Sequence, residues 1–465
     1  MISESQGSGS RANGAVKPVI GIIGMGDMGR MYARRLHAGG AGMIYVCDLP
    51  EKYSALQEEF ADTGIIALPD GHAVSRLSDF IVYSVEAAHI GACVKEYGPS
   101  TKVGATVAGQ TSVKAPEKQA FETYLPQDCA VVSLHSLHGP GVTTEGQPLI
   151  IIHHRGPKDR VTMVEDIFRC FKSRYVYLSY EEHDMVTANT QAVTHAAFLS
   201  MGTAWHKSSA YPWETTRYVS GVEVVKVNIT LRIYSAKWHV YAGLAILNPA
   251  AQAQIQQYAR SASELFKLMV QNKGDELGER VWGAREKVFG WTRDQEGGGE
   301  GEGRRGPILL SEDVLDQFSL GKAGGAEKER ERSSNSHLSL LAMVDCWAKL
   351  GIRPYEHLDV AGTPVFMLWI GVAEYLFRSP ALLTSSIQAA LSDRIHRPDD
   401  IEFVVAARGW SECVTFGNFD LYRTRFEETA AFFAPRFEEA TKLGSKMIKV
   451  IQDAQRAKTE TSEAQ

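Results

Sequence analysis

Val19-Ile20-Gly21-Ile22-Ile23-Gly24-Met25-Gly26-Asp27-Met28-Gly29 passes from an apolar run into three glycines spaced G-x-G-x-x-G. A helical pattern, Arg30–His37, follows at once. An apolar run entering a glycine loop that opens a helix is the context in which this spacing signifies dinucleotide binding. Gly24 permits the tight turn, Gly26 lets backbone approach a pyrophosphate, and Gly29 allows close helix–strand packing. The helix N-terminus offers free N–H groups and partial positive charge to phosphate. Asp48 ends the next apolar run, about 20 residues on, where an acidic residue bonds a ribose hydroxyl. The cofactor-binding candidates are therefore Gly24, Met25, Gly26, Asp27, Met28, Gly29 and Asp48. A carboxylate at Asp48 favours NAD and repels the 2′-phosphate of NADP, unless Lys52 or Arg76 offsets it.

Working outward, short apolar runs recur at Met43–Cys47, Phe80–Val85, Ala105–Ala108, Ala130–Leu134, Leu149–His153 and Tyr175–Leu178. Helical stretches separate them. Continuous apolar runs suit strands of a parallel sheet covered on both faces. Their alternation with helices predicts a doubly wound, Rossmann-like α/β domain over residues 18–179. Beyond Tyr180 the pattern becomes helical: Glu181–His206, Val222–Leu247, Pro249–Asn272, Asn335–Leu350, Pro364–Phe377, Asp399–Phe416 and Phe419–Ile451. The expected fold class is thus α/β plus all-α, with a helical substrate and dimerisation domain over residues 180–292. Arg293–Gly306 and Gly321–Ser336 are rich in glycine and charge and read as surface insertions within 293–334. A further helical region spans 335–455. Residues 1–17, polar and rich in Ser and Gly, read as a disordered tail.

The composition is that of a globular chain: 44% apolar and 22% charged over 465 residues, enough for roughly two to three domains. A net charge of −6 argues against a broad nucleic-acid or acidic-membrane surface. Six scattered cysteines, none spaced C-x-x-C, signal neither a zinc site nor a disulfide framework and fit a reducing compartment. The longest apolar stretch, Val365–Phe377, is too short to span a bilayer. The expected location is the cytosol.

Two loops at strand ends should face one crevice: Gly109–Lys114 and Leu134–Pro140. His135 directly follows an apolar strand, and a neutral imidazole there can accept a hydroxyl proton as hydride leaves the same carbon. Ser112 is placed to hold that hydroxyl or orient the ring. Metal ligation by His135 and His138 is an alternative that lacks a third ligand at suitable spacing. In the expected helix Val222–Leu247, Asn228, Arg232, Ser235 and His239 form one polar stripe among apolar neighbours. It is either a solvated face or a place where a guanidinium meets a substrate carboxylate. Gln191, Thr194 and His195 share one side of an earlier helix, as core polar packing or as a second part of the site.

With these residues in view, the sequence resembles the fungal, NADP-dependent members of the prephenate and arogenate dehydrogenase family. The resemblance runs from about Pro18 to Ile451 and rests on Gly21–Gly29, Gly109–Lys114, Leu134–Pro148, Tyr180–Gly202, Lys226–Gly243 and Asn335–Leu341. It implies oxidative decarboxylation of prephenate to 4-hydroxyphenylpyruvate in tyrosine biosynthesis, with NADP as cofactor (NAD being the alternative). It also implies a homodimer formed through the helical domain. His135 would contact the C4 hydroxyl beside Ser112, and Lys114 would add positive charge to the pocket. Arg232 would bind a carboxylate, and His195 would lie near the pyruvyl side chain. No segment reads as an appended chorismate mutase or regulatory βαββαβ domain. Two rivals remain. β-Hydroxyacid dehydrogenases share the loop but use a lysine on the first interdomain helix, whereas Asp184–Trp205 has none. A non-catalytic dinucleotide sensor would need the loop without Ser112, His135 and Arg232.

Overall fold

The structure, a computed structural model, describes residues 17–214, 221–297, 306–320, 335–361 and 364–463. The tail expected over 1–17, apart from Lys17, and the centres of the two expected insertions (298–305 and 321–334) lie outside the described residues.

Eight strands form one sheet: β1 (Ile20–Ile23), β2 (Ile44–Cys47), β3 (Ile65–Ala67), β4 (Phe80–Tyr83), β5 (Thr106–Gly109), β6 (Ala130–Ser136), β7 (Pro148–Arg155) and β8 (Arg174–Tyr177). Their order is β3-β2-β1-β4-β5-β6-β7-β8. β1 to β6 are parallel, β7 is antiparallel to β6, and β8 is parallel to β7. β3 is the one strand absent from the sequence reading; three residues are too few to register a period.

Helices α1 (Asp27–Ala38), α2 (Tyr53–Phe60), α3 (Gly71–Leu77), α4 (Ile90–Tyr97), α5 (Ala115–Tyr124) and α6 (Asp159–Phe168) cover the sheet. Successive strand residues point to opposite faces. Accordingly Ile20, Ile22, Phe80 and Val82 pack with Tyr32 and Phe168 on one face. Ile23, Ile81 and Tyr83 pack with Val94 and Phe121 on the other. The chain leaves β1 for β2 on one side, while β4 lies on the other. That reversal places a crevice at the carboxyl ends of the strands.

α7 (Tyr180–Thr187) opens the helical domain with a capping box: Glu182 N–H donates to Ser179 Oγ at 3.1 Å, and Ser179 N–H donates to Glu182 Oε2 at 2.7 Å. A π-helical turn, Ala188–Ala192, leads into α8 (Val193–Lys207). Then come α9 (Val222–Tyr234), α10 (Trp238–Ile246), α11 (Pro249–Val270), α12 (Gly274–Phe289) and α13 (Glu312–Leu315). The C-terminal part holds α14 (Leu338–Leu350), α15 (Pro354–Ala361), α16 (Pro364–Arg378), α17 (Pro380–Ser392), α18 (Arg397–Thr415), α19 (Phe419–Phe433) and α20 (Phe437–Glu463).

Three expectations change. The helix read over Val222–Leu247 is two helices, broken at Ser235-Ala236-Lys237. The one read over Phe419–Ile451 breaks at Ala434-Pro435-Arg436, where proline removes a backbone donor. The helical regions separated at residue 335 share one core, in which Phe198 and Val225 cluster with Trp347, Trp410 and Phe433. Among the described residues no single helix is long and apolar enough to cross a membrane. The apolar α16 is a core helix whose Glu374 is fully buried and paired with Arg378.

Candidate active site

The glycine loop has the geometry its spacing requires. Gly24 sits at φ +100°, and a Cβ there would lie 2.4 Å from Ser84 O. A Cβ on Gly29 would lie 2.1 Å from Gly24 O, so only glycine lets α1 pack this close to the turn. Gly26 faces open space, with nothing within 4 Å of a Cβ. It is also the N-cap of α1 and offers no side-chain acceptor to the first-turn N–H groups. This is a cradle open at the point where a diphosphate would rest, and it fits a nicotinamide dinucleotide. The Met25 side chain is buried and Met28 packs on the same core, so both can serve a cofactor chiefly through backbone. The Asp48 carboxylate turns back on the loop. Oδ2 accepts from Met25 N–H at 3.2 Å, Oδ1 accepts from Leu49 N–H at 2.8 Å, and the Lys52 ammonium lies 3.3 Å away. Lys52 thus partly offsets the charge that argued for NAD. Arg76 is exposed at the end of α3.

Across the crevice, the Lys237 ammonium in the turn between α9 and α10 reaches Asp27 on α1 at 2.8 Å. His239 on α10 approaches Glu86, beyond β4, at 3.3 Å. Val113, in the loop after β5, packs against Ala87 and Leu244 of α10. The helical domain therefore closes onto the cofactor side at three points, and the loop carrying Ser112 is pinned at its neighbour.

His135 lies inside β6, one residue from its end, rather than just beyond it. The ring is half-buried, and its Nδ1 is 2.7 Å from Nε2 of His183 on α7. His183 is fully buried, and its Nδ1 is 2.9 Å from Asp184 Oδ1. Asp184 also accepts backbone N–H groups from Lys114 at 2.7 Å and Ala115 at 2.8 Å. Burial, and then the neighbouring His183, Lys114 and His138, hold His135 well below the usual imidazole range; burial and Lys114 do the same for His183. Both rings are neutral at physiological pH. The sequence reading passed over His183 and Asp184. Their only signal was an adjacent His-Asp pair on the first turns of the interdomain helix.

Lys114 is a correction. Its ammonium does not reach the crevice but lies beneath it, fully buried. It donates to Leu134 O at 2.7 Å, Ser133 Oγ at 3.1 Å and Gly109 O at 3.1 Å, and pairs with Glu117 at 2.9 Å. Thr111 Oγ also donates to that carboxylate at 2.6 Å. A buried ammonium must find such acceptors, so Lys114 binds β5 to β6 instead of lending charge to a ligand. Ser112, two residues earlier, stays half-buried at the crevice.

The helix break dissolves the expected stripe. Asn228 is buried and donates to Val224 O and Phe318 O, while Arg232 is exposed near the end of α9. Arg232 has no ion-pair partner among the described residues. Its charge acts on Tyr241 of α10, whose hydroxyl burial raises to about 12. His195 of α8 lies edge-on to Tyr241, with ring centroids 4.8 Å apart, and to Trp369 at 4.6 Å. Desolvation pushes its imidazole down to about 3. Its Nε2 is buried with no hydrogen-bond partner among the described residues, and the ring borders an apolar cavity lined by Gln191, Leu199, Leu244 and Tyr422. Arg232, Tyr241 and His195 thus form one group, and His135, His183 and Asp184 another.

A doubly wound sheet with this loop, joined to a helical domain that closes over the strand ends, defines a dinucleotide-dependent oxidoreductase. Residues 19–107 match an NADP oxidoreductase family, and residues 192–453 match a 6-phosphogluconate dehydrogenase C-terminal domain family. The chain is 52% identical over 438 residues to a probable NADP(+) prephenate dehydrogenase of Schizosaccharomyces pombe, covering 94% of this chain and 98% of that protein. It is 51% identical over 437 residues to the NADP(+) prephenate dehydrogenase of Saccharomyces cerevisiae, covering 93% and 94%. The chain belongs to the NADP-dependent prephenate dehydrogenase family. A solved prephenate dehydrogenase from Aquifex aeolicus, in complex with hydroxyphenyl propionate and NAD+, overlays with a TM-score of 0.47 at 21% identity, covering 57% of this chain and 95% of that one.

Proposed function

We propose that the chain oxidatively decarboxylates prephenate to 4-hydroxyphenylpyruvate, with NADP as hydride acceptor, in tyrosine biosynthesis. What carries this reading is the neutral, half-buried His135 at the strand ends of a chain more than half identical to NADP-dependent prephenate dehydrogenases. Bound at the Gly24–Gly29 cradle, the oxidised nicotinamide would supply the acceptor for the hydride on C4 of the substrate ring. His135 takes the C4 hydroxyl proton as that hydride departs, so the oxygen never carries a full positive charge. The ring carboxylate leaves as carbon dioxide, its bonding pair aromatises the ring, and the proton returns to the phenolate oxygen. Ser112 orients the hydroxyl. Arg232 pairs with a carboxylate of the dianion, and neutral His195 contacts its side chain.

His135→Asn tests the reading. It should lower kcat by roughly 10²–10⁴-fold, the range for one acid–base group, and leave KM for NADP unchanged. Near-normal turnover would remove His135 from the chemistry.

The chain would act in the cytosol as a homodimer. Ile401 and Val405, one turn apart and exposed on α18, are apolar surface that such an interface would cover. Light scattering at micromolar concentration decides between monomer and dimer.

A further inference from the structure

His135, His183 and Asp184 form a chain of hydrogen bonds running from the crevice into the interdomain helix. Its proton positions follow from its far end. Asp184 accepts a backbone N–H on each oxygen, from Lys114 on Oδ1 and from Ala115 on Oδ2. Both contacts favour the carboxylate over the acid. A carboxylate only accepts, so His183 Nδ1 carries a hydrogen and donates it. Neutral His183 then has a bare Nε2, which must accept from His135 Nδ1–H. Neutral His135 has one ring hydrogen, now on Nδ1, so its Nε2 holds the lone pair. No hydrogen bond to that Nε2 exists among the described residues.

We propose that His183 and Asp184 are positioning residues for the base: they fix His135 in the Nδ1–H tautomer, with its Nε2 lone pair presented to the substrate hydroxyl. The inference rests on the reading of His135 as that base. When His135 accepts the substrate proton on Nε2, the imidazolium keeps its Nδ1–H bond to His183, so the new charge meets an acceptor already in place. The same carboxylate holds the N-terminus of α5, just beyond the loop bearing Ser112. Asp184 O also accepts from Asn248 Nδ2 at 2.9 Å. The tautomer is therefore set by an element of the helical domain and depends on the two domains being docked.

The pH behaviour belongs to the whole cluster. The groups facing His135 are His183 and Asp184 on α7, Lys114 at the head of α5, with its partner Glu117, and His138 just after β6. A histidine base works in its deprotonated form, so kcat/KM falls only as pH drops through its depressed pKa. Removing His183 removes one of the influences holding that pKa down and should move the acid limb upward.

The first test uses the intact wild-type enzyme. Long-range ¹H–¹⁵N spectra of ¹⁵N-histidine-labelled protein, with His135 assigned by its absence in His135→Asn, should show hydrogen on Nδ1 and a bare Nε2. Hydrogen on Nε2 would overturn the proposal whether or not any variant folds. The second test is kinetic. His183→Leu, which leaves His135 Nδ1–H without an acceptor, should lower kcat about 10- to 1,000-fold, within the range for orienting a catalytic imidazole. KM for NADP should hold, and the acid limb should move up. His183→Gln, whose amide oxygen can accept in place of Nε2, should recover kcat to within about tenfold of wild type. A His183→Leu enzyme with wild-type kcat and an unmoved limb would overturn the relay. If His135→Asn were also silent, the reading of His135 as base would fall with it; an inactive His135→Asn beside an active His183→Leu sinks the relay alone.

Discussion

The Lys114 ammonium lies 2.9 Å from the Glu117 carboxylate, and neither side chain reaches solvent. Three neutral acceptors, Gly109 O, Ser133 Oγ and Leu134 O, complete the shell around the ammonium. Breaking a buried pair from one side leaves an uncompensated charge, so Lys114→Ala should destabilise the fold by roughly 3–5 kcal/mol. Lys114→Met combined with Glu117→Leu should recover part of that loss, since both charges then go. Urea unfolding of the three variants measures it. A fully stable Lys114→Ala enzyme with a raised KM for prephenate would return Lys114 to the substrate.

His195 gives a pH signature. Its folded-state pKa of about 3 lies below the usual 6.5 because the ring is buried. As pH falls through 6.5, the unfolded chain takes up a proton that the folded chain refuses until about pH 3. This contribution to stability is therefore complete above 6.5 and is lost on acidification. One proton corresponds to about 1.4 kcal/mol per pH unit, or about 2 kcal/mol by pH 5. Urea titrations of wild type and His195→Phe at pH 7 and pH 5 should show the variant losing less stability by that amount. Parallel losses would mean that the folded ring protonates normally.

Arg232 is exposed and has no ion-pair partner among the described residues, so its removal should cost the fold little. Arg232→Ala should raise KM for prephenate about 10- to 100-fold, as for loss of one charge pair at a binding surface, with an unchanged melting temperature. Arg232→Lys should rescue in part, because an ammonium lacks the two-pronged geometry. An unchanged KM in Arg232→Ala would clear it of substrate binding.

Lys52 and Asp48 bear on cofactor choice. With Lys52 beside it, the Asp48 carboxylate is partly neutralised and its Oδ2 faces the Met25 amide. Lys52→Ala should lower kcat/KM for NADP relative to NAD by about 5- to 10-fold, the scale of one exposed ion pair. The ratio is read from parallel assays with the two cofactors, and a ratio equal to that of wild type would show that other groups accept the 2′-phosphate.

The sheet domain was legible in the linear pattern because its determinants are local. Each buried parallel strand is a continuous apolar run, and the glycine loop states its own backbone geometry. Only β3 escaped, at three residues. Helix ends were less legible. Nothing in Ser235-Ala236-Lys237 punctuates the chain as proline or glycine would, yet the helix stops there because Lys237 meets Asp27 and His239 meets Glu86 across the crevice. Those partners lie far away in sequence.

What the sequence determined by itself was the family, the cofactor loop and the presence of His135 at a strand end, all properties of contiguous residues. What the tertiary structure alone decided was where side chains point and what they face. Lys114 and Ser112 are two residues apart in one loop, yet one is sealed under the sheet and the other is left at the crevice. His183 and Asp184 acquire meaning only when α7 docks beside β6 and the head of α5. Hydrogen-bond partnership and desolvation are set by groups 48 to 70 positions away in the chain, and no local spacing encodes them.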